Sequence, residues 1–397
     1  MRAKFLAFLA LVLSSAGMAE ASDPLCVRDR AQLPDSWRPS AELQKTLSPA
    51  PWSRREAKDG QDAITSALEE MIGYFKDKPS AAQNLWDDSI ESLIQVTYAS
   101  ANEPELDAKA REAARHNLTA LITPYLDRTD SATCDEFETL LPLAIFAHRL
   151  YPAGDIRTDV ATERTNAAYR DCGSLEAATG IDLQEMLADK DPEDLEDLFD
   201  LHLWSLWLIE AELYPDIELP VEAREFGPKA WTYFETYRLA GAREFEEGAR
   251  SKEFAKIADL ATHIAHIPTG VHRFPLYLED SPGLYRYHRE NFYPVLQSDR
   301  PDLLASFVDS LRQYGCTAEN DAQVRDGTRY LLKVFHDSND RWMDDRRDPD
   351  TNVSLDDYDM IHRPWTAVLG LRERRPEPPG AATYGGLVRR WLPHRAD

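Results

Sequence analysis

The sequence predicts an all-α protein. Apolar residues recur at helical spacing along most of the chain, and the first such stripe comprises Ile64, Leu68, Met71, Ile72 and Phe75. Alternating strand patterns bounded by turn dipeptides are absent from the sequence. Paired amphipathic helices of this kind favour an (α/α) toroid of helical hairpins or, alternatively, a compact α-helical superhelix.

The first 21 residues predict a cleaved signal peptide. Arg2 and Lys4 precede an apolar run over 5–13, and a small-residue cleavage motif follows at 19–21. The run is about half as long as the ~20 residues that a membrane-spanning helix needs. We therefore expect a mature chain that begins near Ser22, is periplasmic or secreted, and has no membrane span.

The net charge of the chain limits the classes of molecule that we expect it to bind. The 397-residue chain carries a formal net charge of −25, from 45 Lys and Arg against 70 Asp and Glu. This charge repels phosphate backbones and anionic lipid, so nucleic-acid and membrane-surface partners are disfavoured. With 43% hydrophobic residues the chain can still bury a large core.

The remaining elements follow in order along the chain. A proline-rich extended arm is predicted over 22–59, a single helical domain over 60–375, and a tail over 376–397 that begins at a Pro-Glu-Pro-Pro-Gly run. After the first stripe, the pattern predicts helices near 85–94, 118–125, 134–151, 158–172, 174–188, 193–213, 220–238, 250–266, 283–297, 301–314 and 319–336.

Four cysteines in an exported chain indicate two disulfides. A capping box beginning at Thr133 opens one helix, Gly173 ends the next, and a short breaker over 152–155 joins them. An antiparallel hairpin of this kind places Cys134 beside Cys172. By elimination, we expect Cys26 to pair with Cys316.

The segment 201–209 is apolar nearly all round, which predicts a helix buried on most sides. His202 lies within it. We interpret His202 as a hydrogen-bonded core histidine rather than a ligand.

The first candidate catalytic group is Tyr287, His288 and Arg289. It belongs to the densest cluster of polar and aromatic residues, which follows a proline-punctuated segment. Tyrosine, histidine and arginine together can remove a proton, donate one and neutralise a carboxylate, as elimination on an acidic sugar requires. The alternative interpretation is that the tyrosines pack and Arg289 pairs with an acid.

The second candidate group is His362 and Arg363. They precede Pro364, which suits the first turn of a last helix through about Arg372. Helix N-termini favour anionic ligands. In a toroid, we expect this pair to face the same cavity as Tyr287, His288 and Arg289.

Two segments can hold metal ions. His263 and His266 stand one helical turn apart and can bind a metal with His272 or Glu279, although hydrogen-bonded histidines are the alternative. The acidic segment 348–359 resembles an EF-hand loop, with Val353 replacing the turn glycine. Calcium is thus a candidate cofactor, against a solvated acidic loop, with these ligands: Asp348, Asp350, Asn352, Asp356 and Asp359.

No nucleophile elbow, phosphate-binding glycine loop or dinucleotide fingerprint is present in the sequence. The best functional hypothesis is an exported carbohydrate-active enzyme, lyase-like or hydrolase-like, on an acidic sugar. The rival hypothesis is a non-catalytic periplasmic helical protein that binds another exported protein or a small ligand. A pocket holding at least three of the named side chains favours the enzyme, whereas a filled centre favours the binding protein.

Overall fold

The computed structural model describes residues 25–97, 104–189, 194–271, 275–343 and 356–372, together with 387 and 392. Within these residues the regular structure is entirely helical, as the sequence predicts. None of the described helices combines the length and the apolar character that crossing a membrane requires. The segment predicted to be a signal peptide lies outside the described residues.

Seventeen α-helices are described, joined by short connections and a few 3₁₀ turns. Their bounds are α1 Ala41–Thr46, α2 Arg54–Asp77, α3 Pro79–Leu85, α4 Asp88–Thr97, α5 Pro104–Leu126, α6 Phe137–Leu150, α7 Ile156–Cys172, α8 Leu175–Thr179, α9 Leu183–Ala188, α10 Leu195–Ala211, α11 Ala223–Thr236, α12 Lys252–Ile264, α13 His266–Thr269, α14 Pro282–Gln297, α15 Pro301–Gln313, α16 Ala322–Asp337 and α17 Asp357–Leu371.

The N-terminal arm is shorter than its predicted span. Helix α2 begins at Arg54 because Ser53 and Glu56 form a capping box, in which the Glu56 carboxylate accepts from the Ser53 amide at 2.8 Å. The described arm also contains α1 and two 3₁₀ turns, Arg30–Gln32 and Asp35–Trp37.

Both predicted disulfides are confirmed. Cys134 and Cys172 join the open end of the α6–α7 hairpin with a Cα–Cα distance of 4.6 Å, and Gly173 ends α7 at φ 75°. Cys26 and Cys316, 5.4 Å apart at Cα, tie the arm to the connection between α15 and α16. The first pairing followed from local capping signals, so a local pattern was sufficient to find it.

The core helices contact one another in succession. Helix α6 packs on α10, α10 on α12, α12 on α15, α15 on α17, and α17 on α4, while α5 packs on both α4 and α6. A second set of helices packs against these, with α7 on α6, α11 on α10, α14 on α12 and α15, α16 on α15, and α2 on α17. Helices α15 and α17 approach closely, and a Cβ on Gly370 would meet the Ala305 backbone at 2.9 Å.

Helix α10 departs from the prediction on one side. Leu201 and Leu208 are fully buried, as the apolar pattern predicts, but Leu203 is 37% exposed. Leu206 and Trp207 are half-buried on the same side. Since a helix that packs on all sides would bury these residues, their exposure marks an opening in the core.

Candidate functional site

The opening is a cavity of about 160 Å³. We call it the acidic cleft, because carboxyl groups dominate its polar lining. Its wall is built by α4, α6, α10, α12, α13, α15 and α17 and comprises Asp87, Asp88, Glu91, Gln95, Arg149, Leu203, Leu206, Trp207, Glu210, Asp259, Thr262, His263, His266, Val271, Ser306, Asp309, Tyr358, His362, Trp365, Thr366 and Leu369.

A strained junction places two adjacent carboxyl groups in the acidic cleft. Trp86, between α3 and α4, has φ 51°, which is uncommon for a bulky residue and costs on the order of 1–3 kcal/mol. The Ser89 hydroxyl donates to the Trp86 carbonyl at 2.7 Å and holds this turn. Asp87 and Asp88 follow directly and line the cleft at the start of α4.

The pKa values of these two carboxyl groups are both raised. Burial raises the pKa of Asp87 to about 8, and the neighbouring Asp88 charge adds to the shift. Burial also raises the pKa of Asp88 to about 6, although His362 opposes this. The pair therefore retains about one proton near neutral pH, and Asp87 is its main carrier.

Arg149 of α6 links carboxylates from two other helices. Its guanidinium lies 2.7 Å from the carboxylate of Glu210 on α10 and 3.2 Å from that of Glu91 on α4. Glu210 is 3% exposed, so its charge needs such a partner. One cation here balances two anions.

Helix α17 supplies a histidine framed by aromatic rings. The His362 ring stacks on Tyr358 with centroids 4.9 Å apart and meets the edge of Trp365 at 6.1 Å. Its Nδ1 lies 3.5 Å from an Asp302 carboxylate oxygen. Burial alone would lower the pKa of His362, but the contact with Asp302 and the charge of Asp259 outweigh burial and raise it.

Apolar side chains form the α10 wall of the cleft. Leu203, Leu206 and Trp207 face the cavity, and Trp207 rests edge-on against Phe146 at 5.5 Å. Trp365 is fixed by a 2.8 Å hydrogen bond from its indole nitrogen to Gln95. An aromatic side chain fixed by such contacts presents an apolar surface in a defined orientation.

Three histidines cluster beside α12. The rings of His202, His263 and His266 lie 5.2 to 5.7 Å apart. His202 is buried, as predicted, and burial lowers its pKa well below the usual value, with His263 adding to the shift. Contrary to the expectation of a satisfied core histidine, its Nε2 has no hydrogen-bond partner among the described residues.

The predicted metal site at His263 and His266 gains no third ligand from the described chain. Among the described residues, the only set of three ligand atoms within 4.8 Å of one another belongs to Cys26, Cys316 and Asp321. Both of those sulfur atoms are joined in a disulfide and offer no thiolate. His272 lies outside the described residues.

Tyr287 and His288 lie on α14, away from the acidic cleft. The Tyr287 hydroxyl donates to the Ala240 carbonyl at 3.2 Å. His288 is fully buried, with Nδ1 2.9 Å from the Leu284 carbonyl and its ring 4.8 Å from that of Phe307. Burial lowers the pKa of His288 to about 4, so this side chain is neutral in the fold.

Arg289 is fully buried and ion-paired, which agrees with the alternative interpretation of this residue. Its guanidinium lies 2.8 Å from the Asp321 carboxylate, and both side chains are inaccessible to solvent. It also donates to Gln323 at 2.8 Å and to the Leu25 carbonyl at 2.7 Å. These contacts attach the N-terminal arm to α14 and α16.

The expected helix start beside His362 and Arg363 is wrong. Helix α17 begins at Asp357, because the Asp356 side chain accepts from the Asp359 amide at 2.9 Å and caps the helix there. His362 and Arg363 therefore lie inside the helix, which also accommodates Pro364. Their own helix therefore presents no N-terminus at these two residues to attract an anion.

Of the five predicted catalytic residues, His362 alone lines the acidic cleft. Tyr287 borders a different cavity, with Arg286 and Glu290, so the two predicted groups do not share one cavity. Of the predicted calcium ligands, Asp348, Asp350 and Asn352 lie outside the described residues, whereas Asp356 and Asp359 form the first turn of α17. Calcium binding stays a prediction.

Sequence reasoning missed most of the residues that line the cleft. The available signals were the adjacent acids after Trp86, Arg149 at the end of an apolar helix, and Glu210 at the end of the most apolar helix. A charged residue in such a setting is costly without a partner. Each of these signals is weak by itself, because the residue that pairs with each charged side chain lies on another helix and cannot be identified from the local sequence.

Comparison of the chain with known protein families, with curated proteins and with solved structures finds no match.

Proposed function

We propose that this protein is an exported glycoside hydrolase that acts in the acidic cleft. The observation that carries the proposal is that Asp87 lines the same aromatic-walled cavity as the ion-paired carboxylates of Glu91 and Glu210. Burial of Asp87 there raises its pKa to about 8, which favours its protonated form. Glycoside hydrolysis uses such a pair, a protonated acid and an ionised carboxylate, on the two sides of the bond that breaks. The predicted signal peptide and the two disulfides support export.

Each carboxyl group has a role in this scheme. Asp87 donates its proton to the glycosidic oxygen as the bond to the anomeric carbon breaks. Glu210, from a different helix, either attacks that carbon or removes a proton from the attacking water. Arg149 orients the Glu210 carboxylate through the 2.7 Å contact. If Glu210 attacks, water then hydrolyses the glycosyl–Glu210 ester and Asp87 takes the proton of that water; if Glu210 activates the water, it releases the proton to solvent and Asp87 is reprotonated from solvent.

The walls of the cleft suit sugar rings. Trp207, Trp365 and Tyr358 line the cavity, and sugar rings can stack on aromatic rings through their apolar C–H surfaces. The succession of inner and outer helices supports a closed (α/α) arrangement around the cleft as part of the proposal.

Charge in the cleft favours a hydrolase on a neutral or basic sugar over the acidic sugar expected from the sequence. Arg149 already binds Glu91 and Glu210, and Arg372 binds Asp309 at 2.6 Å. Neither guanidinium is therefore free of a carboxylate to receive a uronate. A lyase that uses Tyr287 and Arg289 is also disfavoured, because both are buried outside the cleft.

The test is a reducing-end assay on neutral, amino and uronate oligosaccharides with purified protein. Asp87→Asn keeps the shape of the acid but removes its proton, so we expect kcat to fall by about 10²–10⁴-fold. Asp135→Asn, an exposed aspartate outside the cleft, is the matched control and retains activity. Equal activity of the two variants, or no hydrolysis of any glycan, overturns the proposal. Glycan binding without hydrolysis favours the non-catalytic binding protein.

A further inference from the structure

The acidic cleft carries more negative charge than its cations neutralise. Six carboxyl groups line it, at Asp87, Asp88, Glu91, Glu210, Asp259 and Asp309. Asp87 is mainly protonated near neutral pH, Arg372 pairs with Asp309, Arg149 pairs with both Glu91 and Glu210, and His362 lies beside Asp302.

The two remaining carboxyl groups, Asp88 and Asp259, line the cleft together with Tyr358 and His362. Their charges raise the pKa of both Tyr358 and His362. The Asp259 carboxylate is 3.6 Å from the His263 ring and its side chain is 42% exposed. The Tyr358 ring is itself 40% exposed at the cleft.

This arrangement offers two kinds of attraction for a cation. Carboxylates bind an ammonium group through charge-assisted hydrogen bonds. Aromatic faces attract the same ammonium through the negative face of the ring, at a gain of about 0.5–2 kcal/mol. A neutral hydroxyl or acetamido group forms neither the charge-assisted hydrogen bond nor the cation–π interaction. The net charge of −25 adds a long-range field of the same sign.

We infer that the substrate is an amino-sugar oligosaccharide with free ammonium groups, one of which binds between Asp88 and Asp259 against Tyr358. This inference rests on the proposed function, since it names the substrate of the same cleft. Asp259 is then a specificity residue, and Asp87 and Glu210 remain the reacting groups.

The first experiment measures binding apart from hydrolysis. The Asp87→Asn protein serves as the binding partner, because asparagine imitates the neutral form of Asp87. Calorimetric titration at about pH 7, where amines remain largely protonated and Asp88 is mostly ionised, compares a glucosamine tetramer with its N-acetylated form and with a galacturonate tetramer. We expect the amino form to bind at least about tenfold more tightly than the acetylated form, and the uronate not to bind.

Variants locate the ammonium group. Adding Asp259→Asn is expected to reduce the preference for the amino tetramer by about tenfold, whereas adding the exposed Asp135→Asn leaves the preference unchanged. Spermidine serves as a cation without a sugar ring, and we expect it to bind more weakly than the amino tetramer. Equal affinity for the amino and acetylated forms, tighter spermidine binding, or a preference indifferent to Asp259→Asn overturns the inference.

Failure of the inference and of the proposed function give different results. Hydrolysis of acetylated or neutral oligosaccharides by the wild type, without amine preference in binding, contradicts the inference and leaves the hydrolase standing. Amine preference in binding, with no hydrolysis by the wild type, supports the cation subsite and contradicts the hydrolase.

Discussion

Asp87 differs from an ordinary surface aspartate because of where the fold places it. The positive φ of Trp86 turns the chain so that Asp87 and Asp88 enter the cleft together, with Glu91 one turn further on. Burial and the like charges of Asp88 and Glu91 then favour the protonated form of Asp87. Strain and like charge in one place are typical of functional sites.

The raised pKa of Asp87 predicts how stability depends on pH. The protonated side chain stabilises the fold fully below the ordinary aspartate pKa, and this contribution is lost as pH rises through about 8. Asp87→Asn stays neutral, so we expect it to exceed the wild type in stability by roughly 1–2 kcal/mol near pH 8–9 and to match it near pH 4. Thermal unfolding across this range measures the difference, and a difference that does not change with pH contradicts it.

His288 provides the test between a catalytic and a packing role for the α14 cluster. Its side chain is fully buried beside Phe307, so His288→Ala leaves a cavity and we expect a loss of about 2–4 kcal/mol in unfolding free energy. Oligosaccharide binding by the folded variant is expected to stay unchanged, because His288 does not line the cleft. Loss of binding without loss of stability would instead support the catalytic role predicted from the sequence.

At the scale of elements, the cleft depends on how closely α17 approaches α15. Gly370 makes this approach possible because it has no side chain. A Cβ atom at this position would clash with the Ala305 backbone. Helix α17 also carries Tyr358, His362 and Trp365 into the cleft. A shift of this helix therefore changes the site as well as the core.

Gly370→Ala tests this dependence. The added Cβ would meet Ala305 backbone atoms at 2.9 Å, and we expect a loss of about 1–3 kcal/mol in stability together with weaker oligosaccharide binding. Gly73→Ala is the control, because a Cβ there meets nothing within 4 Å and removal of a helical glycine gains about 0.5–1 kcal/mol. Chemical denaturation measures both, and equal effects of the two changes would contradict the packing argument.

At the scale of the whole molecule, Arg289 connects distant parts of the chain. It joins the arm at Leu25 to Asp321 and Gln323 near the start of α16, and the disulfide from Cys26 lies beside it. Arg325 donates to the Arg28 carbonyl at 2.7 Å and extends the same attachment. The arm is thereby held to the helical domain at several points.

Removing this cation should release the arm. Arg289→Met leaves the fully buried Asp321 without its ion partner, and we expect a loss of about 3–5 kcal/mol in unfolding free energy. Urea unfolding measures this loss, and limited proteolysis is expected to cut the arm first within 25–53. Asp135→Asn controls for loss of a surface charge. A stable Arg289→Met protein with a protected arm would contradict the attachment.

Local signals in the sequence were enough to predict most of the helices and the α6–α7 disulfide. Apolar periodicity and capping depend on residues within one or two turns, so Thr133, Glu136 and Gly173 locate Cys134 and Cys172 without further information. The second disulfide followed by elimination once the first was placed. Pro364 misled the prediction for the last helix, because the Asp356 cap outweighed it.

The sequence by itself determined the fold class, most helix positions and the Cys134–Cys172 pair, because these depend on short-range spacing, and the Cys26–Cys316 pair followed by elimination. Only the tertiary structure brought Asp87, Arg149 and Glu210 to one cavity, since they lie on separate stretches of the chain and share no motif. It also decided that Arg289 is buried, through partners on the arm and α16. Burial and long-range pairing are properties of the packed chain, and a local pattern of residue types does not contain them.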